Sequence, residues 1–256
     1  WKMSLICVKD LRKVYRVDKE RVVALNRINL NVDPGEICCI LGTSGSGKST
    51  LLNIVAGLEK PTKGSVTIDG TDVTKLNEKQ LAVFRQRNIG FVFQSYNLMP
   101  TQTAIENVAM PLMFRGVGRT QRTRDAVEML RAVKLEKRMM HRPTQMSGGQ
   151  QQRVGIARAF VAKPKIVFAD EPTGNLDTKT TKEVMEIMVG MARTYHETLI
   201  LVTHDKDIAE YADRIVVIVD GNVVSDQANE SIFKESAVPI MEGNAAEGGN
   251  GDEKSS

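Results

Sequence analysis

The residues with the clearest chemical purpose lie in Gly42-Thr43-Ser44-Gly45-Ser46-Gly47-Lys48-Ser49, which fits the pattern G-x-x-x-x-G-K-[ST]. A bound triphosphate needs each of these types. Gly42, Gly45 and Gly47 let the backbone N–H groups of the loop, those of Ser44 and Ser46 included, approach phosphate oxygens closely. The N-terminus of a following helix, which Ser49 and Thr50 open, adds partial positive charge. Lys48 is placed to reach the β and γ phosphates, and the Ser49 hydroxyl to ligate Mg²⁺. Average residue frequencies put a chance match at about one in a hundred for a chain of this length. A flexible Gly/Ser loop is the competing reading, disfavoured by the apolar run before the segment and the helical pattern after it.

A second segment, Ile166-Val167-Phe168-Ala169-Asp170-Glu171, is an apolar strand ending in two carboxylates. Strand ends of a parallel sheet face the ligand crevice. There Asp170 can hold Mg²⁺, directly or through water, and Glu171 can polarise an attacking water. Two adjacent carboxylates repel unless a cation relieves them; a solvated Asp-Glu pair opening a turn before Pro172 is the alternative. The third segment, Met146-Ser147-Gly148-Gly149-Gln150-Gln151-Gln152-Arg153, precedes a helical pattern. Ser147 reads as its N-cap, and Gly148 and Gly149 free backbone N–H groups, which makes a second anion site. One γ-phosphate does not need two such sites from one chain. The economical reading is two chains meeting head to tail, each completing the other's ATP site. A plain capped helix would leave the glutamines and Arg153 unexplained.

The elements that must position these segments follow from periodicity. Arg27 to Val32 alternates polar and apolar residues, a half-buried strand. Asp33-Pro34-Gly35 turns the chain. Glu36 to Leu41 reads as a buried parallel strand and Ser49 to Leu58 as a helix. Further strands are predicted at Ser65 to Asp69, Ile89 to Phe93, Lys165 to Asp170, Thr198 to Thr203 and Arg214 to Asp220. Helices are predicted over 178–194 and 205–211. Alternating apolar strands and helices argue for an α/β fold with a parallel sheet, into which the helical block of about 95–165 is inserted. Residues 242–256 are rich in Gly, Asn, Glu and Ser and read as a disordered tail.

Composition sets bounds on the rest. Of 256 residues, 41% are hydrophobic and 26% charged, ordinary for a globular protein with a large core. No apolar run reaches the roughly 18 residues of a membrane span, and no apolar leader core follows Met3. A net charge of +4 is too mild to argue for nucleic acid. Three cysteines cannot all pair, so core thiols in a reducing compartment are expected. No Cys or His falls at metal-ligand spacing.

Taken together, the phosphate loop, Ser147-Gly148-Gly149-Gln150, Asp170-Glu171, Asp177 and His204 resemble the ATPase subunit of an ABC transporter, over residues 4 to about 226. Gly90-Phe91-Val92-Phe93-Gln94-Ser95-Tyr96-Asn97-Leu98-Met99-Pro100 and Glu171-Pro172-Thr173-Gly174-Asn175-Leu176-Asp177 resemble the lipoprotein-release and macrolide-export branch. Branches for peptide-antibiotic resistance and cell division share much of that wording. The resemblance implies a P-loop NTPase (RecA-like) core over 1–94 and 166–226, with an antiparallel β subdomain and an inserted α-helical subdomain; residues 227–256 match nothing. It implies that Gln94 contacts Mg²⁺ or the attacking water and senses a membrane subunit. It further implies that Tyr15 stacks on adenine, that Asp177 acts across the dimer, and that His204 hydrogen-bonds the γ-phosphate and positions Glu171. The competing readings are a strand-end polar residue, a half-buried strand tyrosine, a helix N-cap before Thr178 and a structural histidine. His141 and His196 are expected at the surface. Met146 stands where the family usually has Leu, a volume-conserving change.

The resemblance also implies ATP and Mg²⁺ as ligands, a head-to-tail dimer, and an integral membrane permease contacted through roughly Ser95 to Arg115. The expected place is the cytoplasmic face of the membrane, with export or extraction of a lipoprotein, macrolide or peptide as the work. A regulatory ATPase with a non-transporting membrane partner is the alternative. DNA-repair relatives carry a long coiled coil and translation relatives a second cassette, and neither is present in this sequence.

Overall fold

The structure is a computed structural model that describes residues 4–17 and 20–230. A six-stranded sheet forms its centre. Strands β3 (Ile37–Leu41), β6 (Ile89–Phe93), β7 (Ile166–Asp170), β8 (Thr198–Thr203) and β9 (Arg214–Val219) are parallel, and β10 (Asn222–Ala228) adds an antiparallel edge, in the order β10-β9-β3-β8-β7-β6. The strand β10 runs two residues beyond the expected boundary at 226. The tail from 231 onward lies outside the described residues.

These strands are continuous apolar runs because both faces are covered. Ile37, Cys39, Val167, Ala169, Leu199 and Leu201 face α3 (Ala104–Phe114), α4 (Arg119–Ala132), α5 (Gly148–Phe160) and α6 (Thr178–Tyr195). Their alternates Cys38, Ile40, Phe168, Ile200 and Val202 face the other way. There they meet α1 (Lys48–Val55) and a four-stranded antiparallel sheet of β1 (Ile6–Val17), β2 (Glu20–Val32), β4 (Lys63–Ile68) and β5 (Thr71–Asp72). The neighbouring cysteines Cys38 and Cys39 therefore serve opposite faces, and with Cys7 they are free thiols. Burial pushes the Cys39 thiol up to about 12, so it behaves as an inert core residue.

The helical insertion leaves the sheet after β6 and re-enters as its parallel neighbour β7, paired from Ile89↔Ile166 to Phe93↔Asp170. Residues 70–88, for which the sequence pattern is mute, form β5, a 3₁₀ turn and α2 (Glu78–Asn88), which starts on an Asn77–Gln80 capping box. The short α7 (Lys206–Ala209) follows β8. The parallel register brings four strand ends to one edge, with Leu41 opposite Thr203 and Asp170 opposite both Phe93 and Val202. Gly42, Gln94, Glu171 and His204 are each the first residue past one of these ends.

Candidate active site

A cavity of about 620 Å³ opens above those strand ends. Thr43, Ser44, Gly45, Gly47, Lys48, Ser49 and Thr50 line one side of it; Gln94, Glu171 and His204 line another, and Ala24 of β2 closes a corner. Helix α1 begins at Lys48 with no side-chain cap, unlike α3, α5 and α6, which are capped by Thr103, Ser147 and Asp177. The first-turn N–H groups that such caps would satisfy are thus left for a ligand. Gly47 takes φ 102°, a conformation only glycine adopts without strain. Lys48 is 6% exposed, and its ammonium donates to the Thr43 carbonyl at 2.8 Å. Gly42 and Ser46 do not line the cavity but support it from below. The N–H of Gly42 donates to Thr203 O at 3.3 Å, and Ser46 O accepts from Gly221 N at 3.0 Å.

Asp170 ends β7 with one carboxylate oxygen, Oδ1, buried and without a protein partner. Burial raises its carboxyl above the usual range, helped by Glu171; Lys48 and a hydrogen bond from Ser49 oppose this. An orphaned carboxylate oxygen beside a serine hydroxyl is a donor set that suits a hard divalent cation.

Glu171 sits at φ 45°, left-handed for a glutamate. Its N–H donates to Val202 O at 2.9 Å. Its Oε1 lies 2.8 Å from His204 Nδ1, and its Oε2 accepts from Thr203 Oγ1 at 3.2 Å. The end of β8 thus holds both oxygens of the carboxylate. Gln94 is set by Asn175, which donates to its carbonyl at 3.0 Å and stands 3.4 Å from its side-chain amide. A side chain at Gly174 would start 2.7 Å from that amide.

The remaining expected ligands sit elsewhere. Ser147 caps α5 and shares a capping box with Gln150, at 3.3 and 3.1 Å. Asp177 caps α6 through Thr180, at 3.1 Å to the backbone N–H and 2.6 Å to the hydroxyl; these bonds hold its carboxyl below the usual range. Gly149 packs against the Thr180 methyl, which joins the two caps, and Gly148 packs against the Tyr96 hydroxyl. None of Ser147, Gly148, Gly149, Gln150 or Asp177 lines the 620 Å³ cavity. The glutamines do have local work, contrary to the expectation that a plain capped helix leaves them unexplained. Gln150 completes the cap, Gln151 donates to Met146 O at 3.1 Å, and Gln152 donates to Pro172 O.

Tyr15 lies outside the cavity lining. Its hydroxyl donates to Glu59 at 2.7 Å, and the Lys13 ammonium stands 5.0 Å from its ring centroid. Burial and Glu59 raise the phenol, against an opposing contribution from Thr50. His196 is exposed at the end of α6, whereas His141 is half-buried against Arg138 at 2.8 Å. Sequence reasoning missed Thr203, Asn175, Gly174 and Ala24. Thr203 and Asn175 adjoin recognised residues, but their partners are fixed only by the folded chain.

The family model described as ABC transporter matches residues 25–174. The lipoprotein-releasing system ATP-binding protein LolD of Geobacter metallireducens is 50% identical, over 87% of this chain and 99% of that protein. The macrolide export ATP-binding/permease protein MacB of Brucella melitensis is 46% identical over 91% of this chain, which spans only 36% of that longer protein. Among solved structures, the ATP-binding cassette MJ0796 of Methanocaldococcus jannaschii, a dimer bound to ADP and Pi in a post-hydrolysis state, superposes with a TM-score of 0.81 at 41% identity, covering 87% of this chain and 98% of that one. A family match that runs from β2 to the turn after Glu171, over residues that the fold gathers at one sheet edge, leaves a single assignment: the chain belongs to the ABC transporter family, as one of its ATPases.

Proposed function

We propose that this chain is the ATP-hydrolysing subunit of a membrane transporter, working as a head-to-tail pair whose closure on ATP drives a separate permease. The observation that carries the reading is the division of the site. The phosphate loop, Asp170, Glu171, Gln94 and His204 converge, while the capped N-terminus of α5 and Asp177 stand apart on the same chain. A second copy, turned end to end, supplies what each lacks.

The loop N–H groups and Lys48 hold the β and γ phosphates, and Tyr15 is the residue assigned to stack on adenine. Ser49, Asp170 and Gln94 are the residues that would hold Mg²⁺, which when bound neutralises phosphate charge. Glu171 accepts a proton from water as the water oxygen attacks the γ-phosphorus and the bond to the β–γ bridging oxygen breaks. His204 and Thr203 keep the carboxylate aimed. Loss of the γ-phosphate removes the charge shared by both copies, and they part.

Among the described residues no helix is long and apolar enough to cross a membrane; on this reading that part falls to the permease. A cleft of about 320 Å³ between β6, α3 and α5 is lined by Phe91, Met110, Pro111 and Phe114. Phe114 in that lining is 66% exposed and Met99, in the same inserted block, 48%, while Leu112 is core. This apolar rim supports docking of a permease at the cytoplasmic face. The likeness to LolD and MacB supports a lipoprotein or a macrolide as cargo, and the sequence resemblance adds a peptide.

The test is a pull-down of tagged Glu171→Gln protein with ATP from detergent-solubilised native membranes. Recovery of an integral membrane protein with a large extracytoplasmic domain supports the reading. Recovery of soluble DNA-repair or ribosomal proteins alone overturns the membrane assignment.

A further inference from the structure

We propose that Gln152 and Arg158 are positioning residues that fix the loops carrying Glu171 and Gln94 to one helix, α5, so that alignment of the hydrolytic groups depends on that helix. This rests on the proposed reading of the site. Two residues beyond Gln94 the backbone does something costly: Tyr96 and Asn97 are successive non-glycine residues in the left-handed region, at φ 59° and 48°. A left-handed non-glycine residue is uncommon, and two in succession persist only where the surroundings over-determine them. Here the determinant is Arg158. Its Nη1 donates to Asn97 O at 2.6 Å and its Nη2 to Tyr96 O at 2.8 Å. The fork of the guanidinium matches two carbonyls that only this backbone turn brings side by side. Among the described residues Arg158 forms no ion pair, so the two carbonyls are the anchors of its charge.

On the neighbouring face of α5, Gln152 is fully buried and donates to the carbonyl of Pro172, the residue after Glu171. Gly155 lies between the two contacts. A Cβ there would stand 3.7 Å from Gln152 Oε1 and 3.8 Å from Tyr96 O. Two turns of one helix therefore hold both loops, and the same helix begins with the Ser147–Gln150 segment that the second copy's ATP would engage.

The test compares Arg158→Lys, which keeps the charge but not the fork, and Gln152→Met, which keeps the volume but not the donor. Steady-state hydrolysis, titration with a fluorescent ATP analogue and thermal melting are measured on the full chain. Misplacement of reacting groups by about 1 Å costs up to about 100-fold in rate. Each variant is expected to lose at least about tenfold in kcat, with KM and nucleotide affinity within about twofold. Asn97→Gly added to Arg158→Lys should recover part of the lost kcat, because glycine takes the left-handed turn without the clamp. That rescue also decides the matter should Arg158→Lys melt early. Unchanged kcat, or an equal loss of affinity and kcat, overturns the positioning roles alone. Absence of hydrolysis by the unsubstituted chain overturns the reading of the site and this proposal together.

Discussion

Replacing Glu171 with Gln separates holding ATP from hydrolysing it, and the geometry sets how far the two should part. Both side-chain contacts of Glu171 tolerate an amide. Thr203 Oγ1, 3.2 Å from one oxygen, can still donate to the amide oxygen, and His204 Nδ1, 2.8 Å from the other, can accept from the amide N–H in the tautomer protonated at Nε2. The substitution thus leaves the loop in place and removes only the capacity to take a proton. A positioned general base contributes about 10²–10⁴ in rate, or roughly 3–5 kcal/mol of barrier. The electrostatic contribution of Lys48 and the loop amides remains, so hydrolysis falls by that factor rather than to the uncatalysed rate. His204→Ala removes one of two tethers and keeps the base, so its loss is smaller, about tenfold. Phosphate release under saturating ATP, with size-exclusion chromatography in the same buffer, reads both properties. Glu171→Gln should run as an ATP-dependent dimer with hydrolysis down at least about 100-fold. Turnover within threefold of the unsubstituted chain, at unchanged ATP affinity, would refute the general-base assignment.

Lys48→Ala removes a charged donor to phosphate worth about 1.5–3 kcal/mol, so ATP affinity should fall about 10–100-fold by equilibrium titration; an unchanged affinity would count against the loop as the phosphate site. Glu197 is 4% exposed with both oxygens unpartnered, and burial pushes its carboxyl from 4.5 up to about 8. The folded state then keeps a proton that the unfolded chain releases near 4.5, so its stabilising contribution is complete below that pH and is lost as pH rises to about 8, by at most roughly 5 kcal/mol. Glu197→Gln should flatten the melting temperature across that window, and a parallel slope in both proteins would sink the assignment. Gly149→Ala drives a Cβ into the Thr180 methyl and should destabilise by about 1–3 kcal/mol in thermal denaturation. Thr180→Ser, which deletes that methyl, should restore most of the loss, and failure to do so would place the strain elsewhere.

What the sequence made legible has a common physical character: it is local. The strands Ile89–Phe93 and Thr198–Thr203 match their predicted limits because a buried parallel strand is a short apolar run with polar punctuation. The segment Gly42 to Ser49 is legible as a turn between a strand and a helix because its glycines act on the backbone beside them. Ser147 caps as expected, and Asp177 takes the cap that is its competing reading, since a cap bonds three residues ahead. What escaped depends on distant partners. The left-handed pair Tyr96–Asn97 answers to Arg158, some 60 residues on. The aim of Glu171 depends on β8 lying beside β7, and the setting of Gln94 on Asn175 across a sheet edge. The glutamines following Ser147 misled because type and spacing do not distinguish a ligand contact from a bond to the chain's own carbonyl.

The placement of these groups also bears on why one chain would not suffice. The residues past the ends of four parallel strands, Gly42, Gln94, Glu171 and His204, are held by strands buried on both faces, and Lys48 follows at the start of α1. The capped start of α5 lies instead against Thr180 of α6 and the Tyr96 hydroxyl at the beginning of the inserted block, away from those strand ends. If both sets met around one nucleotide within a chain, the site would be permanently assembled and nothing would move on hydrolysis. Dividing them between two copies makes the γ-phosphate the group that both must share. ATP binding and association of the chains are then linked by one coupling free energy, equal in both directions. On the proposed reading, removing the phosphate releases that coupling, and α5, whose capped start would meet the second copy's phosphate and whose other end lines the apolar cleft beside Phe114, is the element through which a docked membrane partner would sense it.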